Sequence, residues 1–115
     1  METLEALHTR NSVTGLSEPV PTQEEMKMVF QAALRAPDHA WLRPWKFIQV
    51  TGEGRKKLGE AFLHTATAVT EDLSEALAEK AKNAPLRAPM VLVLIADIKE
   101  HPKVPEIEQI ISTGA

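Results

Sequence analysis

Leu4 and Leu7 fall on one side of an N-terminal stretch whose other faces carry Glu2 and Glu5, which predicts a short helix over residues 2–10. The following "NSVTGLSEPVP", residues 11–21, reads as a connector because Asn, Ser, Thr, Gly and two prolines compete with regular backbone pairing or block it. Thr22 with Glu25 three positions on forms a capping-box pattern, and Met26, Val29, Phe30, Ala33 and Leu34 then repeat at helical period, so a helix is expected over residues 22–35. Pro37 pushes Ala36 out of helical geometry and ends it. "WKFIQVT", residues 45–51, alternates like a half-buried strand, and "GEG" after it reads as a turn. Residues 55–82 favour helix, with a break expected at Gly59 or among Thr65, Thr67 and Thr70. "NAPLRAP" stops that helix, and the unbroken apolar run Met90–Ala96 predicts a central strand covered on both faces. A last periodic segment starts near Pro105, with Ile107, Ile110 and Ile111 on one side.

Helices with two well-separated strands fit an α/β or α+β layer arrangement. Two strands are too few for an ordinary sheet, so other chains or further residues are expected to complete it. The length of 115 residues suits one domain of residues 1–115, and a chain of this size gains stability from a partner.

A net charge of -3 without a dense Lys/Arg cluster offers no field for phosphate backbones, so nucleic acid is not an expected partner. The absence of cysteine rules out disulfides and thiolate metal sites and agrees with a reducing interior. "MVLVLIA" is too short to span a bilayer and the N-terminus lacks a basic segment followed by an apolar core, so a cytoplasmic protein without a membrane partner is expected.

Two stretches carry candidate chemistry. In "TRNS", residues 9–12, Arg10 can grip a phosphate with its planar fork while Asn11 and Ser12 add neutral donors. Taken alone, these residues fit better an arginine finishing the last turn of a helix, where cations are favoured. The second stretch is "RAPDHAWLRPW", residues 35–45, where Arg35 and His39 can donate to a planar heterocycle and Trp41 or Trp45 can screen it from water. Trp45 reads more simply as a core residue at the start of its strand, and His39 stays open between ligand contact and a solvated loop. His8, His39, His64 and His101 show no metal-ligand spacing, and there is no Gly-x-Ser-x-Gly elbow, Gly-x-Gly-x-x-Gly or Walker loop.

Together, "LEALHTRNS", "EPVPTQEEM", "RAPDHAWLRPWKF" and "KVPEIEQ" resemble the nitroreductase family, in the same order over nearly the whole chain, most closely its small bacterial NAD(P)H nitroreductase branch. The combination of an N-terminal Arg-x-Ser with an Ala-Pro-x-His followed by Pro-Trp is far more specific than either part. The resemblance implies an α+β flavoprotein, with helices on a mainly antiparallel or mixed sheet, whose two subunits interlock as a homodimer around interfacial FMN. It implies that Arg10, Asn11 and Ser12 contact the FMN phosphate and ribityl end and that Arg35 and His39 contact the flavin from the other element. It also implies hydride transfer from NAD(P)H, the co-substrate, to a nitroaromatic, quinone or similar small-molecule acceptor, with no protein nucleophile and no dedicated general base.

Asn11 departs from the pattern, which commonly has a second arginine there. The family's long central helix begins near "ISTGA", so the resemblance further implies a truncated form lacking the family's C-terminal part. The rival expectation is a non-catalytic flavin-binding or dimerisation module.

Overall fold

The computed structural model describes all 115 residues, Met1–Ala115. Five α-helices and two strands follow in the order α1 (Thr3–Thr9), α2 (Gln23–Ala33), β1 (Trp45–Thr51), α3 (Gly54–Val69), α4 (Glu75–Asn83), β2 (Met90–Ala96) and α5 (Glu106–Gly114). A short 3-10 turn occupies Ala84–Arg87, and an irregular tight turn spans His39–Trp41. The architecture is α+β, with β1 and β2 paired antiparallel from Trp45 opposite Ala96 to Thr51 opposite Met90.

Local chemistry sets most boundaries. The capping box at the start of α2 is present: the Glu25 backbone N–H donates to Thr22 Oγ1 at 3.2 Å, and Glu25 Oε2 accepts from the Thr22 N–H at 2.7 Å. The Thr22 N–H, together with the Thr22 hydroxyl that donates to the same oxygen at 2.9 Å, favours the ionised carboxylate and holds the Glu25 pKa below its ordinary value. Helix α4 opens on Ser74, whose Oγ accepts from the Leu77 N–H at 3.3 Å.

Three expectations are narrowed or overturned. Gly54 is the first residue of α3 rather than the end of a turn. The break in the long helical segment falls at the last of the expected threonines, over Thr70–Ser74, and not at Gly59; Thr65 and Thr67 return their hydroxyl protons to the carbonyls of Ala61 and Leu63 without leaving the helix. Gly59 is buried where α3 meets α4, and a methyl group there would lie 2.1 Å from the Lys82 carbonyl oxygen. Its missing side chain permits the helix contact. Third, β2 is not covered on both faces within this chain: Val91, Val93 and Ile95 are half-buried while Leu92 and Leu94 stay exposed.

The pairing register puts Trp45, Phe47, Leu92 and Leu94 on one side of the sheet. Helix α2 lies against that side, with the Phe30 and Phe47 rings 5.1 Å apart. Only eight residues are buried, and the radius of gyration is 17.3 Å, against about 13 Å for a compact chain of this length. The chain leaves much apolar surface unpartnered, including all of α1. Five of the eight buried residues, Pro44, Trp45, Val104, Gln109 and Ser112, gather where α5 meets β1 and the loop before it. No helix is long and apolar enough to cross a membrane.

Candidate functional site

The loop between α2 and β1 is held by side chains rather than by regular pairing. Pro37 and Pro44 bound it, and Asp38 organises its interior. The Asp38 side chain is only 5% exposed. One carboxylate oxygen accepts from the Leu42 N–H at 3.2 Å, and the other from the Arg43 N–H at 2.9 Å and the Arg43 guanidinium at 3.1 Å. These bonds hold Ala40, Trp41 and Arg43 at φ of 61°, 53° and 49°, a left-handed region that costs non-glycine residues free energy. The Arg43 guanidinium lies 4.7 Å from the ring centre of Trp41 and 5.8 Å from that of Trp45, within cation–π range of both. Trp45 is buried, as expected, whereas Trp41 is 75% exposed.

Later segments catch the loop's carbonyls. The Ser112 hydroxyl donates to the Pro37 carbonyl, and the Thr113 hydroxyl donates to the Pro44 carbonyl at 2.8 Å. That second carbonyl also accepts from the Asp97 N–H at 2.8 Å. Lys99 donates to the Arg43 carbonyl at 3.1 Å and to the Asp97 carboxylate at 3.3 Å. The Lys46 and Lys99 ammonium groups keep the Asp97 pKa below its ordinary value. Helix α5 is itself anchored by buried Gln109, whose amide accepts from the Lys99 N–H at 2.8 Å and donates to the Lys99 carbonyl at 2.7 Å and the Val104 carbonyl at 3.3 Å.

Arg35 and His39 are exposed on this loop, four positions apart. The Arg35 side chain has no hydrogen-bond or ion-pair partner in the chain and lines a small recess with Trp41 and Arg43. His39 Nδ1 lies 2.8 Å from Glu108 Oε2 on α5. His39, Glu108, Pro37, Ile111 and Ser112 surround an open cavity of about 230 Å³.

Arg10, Asn11 and Ser12 follow α1 on an exposed arm. The Arg10 N–H closes the last turn on the Ala6 carbonyl, while its guanidinium and the side chains of Asn11 and Ser12 have no partner in the chain. The arm is tied back where the Leu16 N–H donates to the Arg87 carbonyl at 2.8 Å. Arg35 and His39 thus share one loop, and no hydrogen bond or ion pair joins them to Arg10, Asn11 or Ser12 within one chain. These groups match FMN chemically: guanidinium, amide and hydroxyl suit a phosphate and polyol, the Arg35 guanidinium suits flavin carbonyl and nitrogen acceptors, and the unpaired His39 Nε2 suits the N–H of the flavin ring.

Sequence reasoning missed Asp38, Glu108, Ser112 and Thr113. The one signal along the chain was the four-residue spacing of Glu108 and Ser112, which puts both on one face of α5.

Residues 7–115 match the family model described as "Nitroreductase family". The chain is 40% identical over 114 residues to a protein of Escherichia coli K12 named "Putative NAD(P)H nitroreductase YdjA", and 43% identical over 115 residues to a "Putative NAD(P)H nitroreductase" of Haemophilus influenzae. Each alignment covers 99% of this chain and 61% of the relative, so the chain spans about three-fifths of their length.

Proposed function

The chain belongs to the nitroreductase family, and from that premise we propose that it carries an FMN site of an oxidoreductase transferring hydride from NAD(P)H to nitroaromatic, quinone or similar electron-poor acceptors. The observation that carries this reading is the family match across residues 7–115, which includes both donor sets. FMN, when bound, supplies the hydride chemistry. In this reading the chain's residues bind and orient: Arg10 grips the phosphate with Asn11 and Ser12 beside it, and Arg35 and His39 hold the flavin from the loop. Asp38 and α5 keep that loop in shape before any ligand arrives, which lowers the ordering cost of binding.

The two donor sets are brought to one cofactor by a second copy of the chain, giving a homodimer with FMN at the interface. The unpartnered α1, the exposed Leu92 and Leu94 and the extended shape support that assembly, because a chain with so little burial gains most from covering apolar surface.

The purified protein is expected to be yellow, or to turn yellow with added FMN, and to bleach when NAD(P)H is added without oxygen. A colourless protein that FMN cannot restore overturns the proposal.

A further inference from the structure

Building on the flavin reading above, we infer that Glu108 is a positioning residue for His39: it fixes the imidazole ring with its Nδ1 proton turned toward α5, so that Nε2 is the nitrogen offered to the cofactor. Carboxylate oxygens only accept, so a His39 Nδ1 lying 2.8 Å from Glu108 Oε2 must carry the proton. Nε2 has no partner in the chain and is the ring nitrogen left for a ligand. Without the carboxylate, the ring of a half-exposed histidine is free to rotate and to exchange tautomers.

An exposed ion pair ordinarily does little, because both side chains give up freedom to hold it. Here the two groups are mounted on backbones already fastened to each other. Ser112, one turn beyond Glu108, donates to the Pro37 carbonyl two residues before His39, and Thr113 donates to the Pro44 carbonyl at the far end of the same loop. Helix α5 is kept in place by the three hydrogen bonds of buried Gln109. The distance between the His39 and Glu108 backbones is therefore set by contacts other than their own, and the pair forms with little further ordering. Glu108 acts only through His39.

Two measurements on the full chain test this. Long-range 1H–15N NMR of the imidazole is expected to show the Nδ1–H form of neutral His39 in the parent protein and a shift toward Nε2–H in Glu108→Gln and Glu108→Ala. FMN affinity, read by quenching of flavin fluorescence, is expected to fall about threefold to tenfold in Glu108→Gln, with no further loss when Glu108→Gln is added to His39→Ala. An unchanged His39 tautomer overturns the inference, and so does an equal loss of affinity with and without His39. If the parent chain binds no FMN while its tautomer still depends on Glu108, the flavin reading fails and the pairing stands.

Discussion

Asp38 grips Arg43 twice through one carboxylate oxygen, accepting from the backbone N–H at 2.9 Å and from the guanidinium at 3.1 Å. The pair closes a six-residue loop, residues 38–43, in which three non-glycine residues have positive φ. Asp38→Ala is expected to destabilise the chain by about 2 kcal/mol, the scale of losing hydrogen bonds between charged groups and leaving buried donors unpaired. Urea denaturation measures it, with Asp38→Asn falling between. Equal midpoints for wild type and Asp38→Ala would show that the loop is held by α5 alone.

Gly59→Ala sets two effects of opposite sign against each other. Alanine favours a helix interior over glycine by about 1 kcal/mol. The added methyl would stand 2.1 Å from the Lys82 carbonyl oxygen, a backbone atom that cannot rotate away. Relieving that overlap requires moving α4, at about 1–3 kcal/mol for an overpacked contact. A net loss of stability is expected in denaturant melts, and a stabilised variant would mean that α3 and α4 separate freely.

Acid should weaken the chain in a predictable direction. Glu25, bonded by Thr22, and Asp97, beside Lys46 and Lys99, both titrate below their ordinary values when folded. An unfolded carboxylate takes up its proton at the higher pH. The contribution of each is therefore complete above the ordinary carboxylate range and is lost as pH falls through the lowered values. The double variant Glu25→Gln with Asp97→Asn is expected to flatten the acid side of the stability curve. An acid limb as steep as that of wild type would contradict this assignment.

Arg10→Ala is expected to weaken FMN binding more than His39→Ala does. A guanidinium opposite a phosphate makes charge-assisted bonds of roughly 1.5–3 kcal/mol, about ten- to a hundredfold in affinity. Within the proposed cradle of Arg10, Asn11 and Ser12, Arg10 is the one cation. Fluorescence titration decides it, and matching affinities for wild type and Arg10→Ala would remove Arg10 from the phosphate site.

What the sequence by itself determined is the set of features governed by neighbouring residues. The Thr22–Glu25 capping box, the end of α2 before Pro37, both strands and the connector after Arg10 follow from hydrogen bonds and steric limits that act over a few positions. What only the tertiary structure decided are the consequences of approach between distant segments. Gly59 looked like a helix breaker and is a contact point, because the carbonyl it faces lies 23 positions away, at Lys82. Leu92 and Leu94 looked buried and are open, because whether a strand face is covered depends on what packs there, not on its own hydrophobicity. Glu108, Ser112 and Thr113 carried no sign of their partners in the loop, since hydrogen bonds across 69 to 75 positions arise only once helix and loop have been folded together.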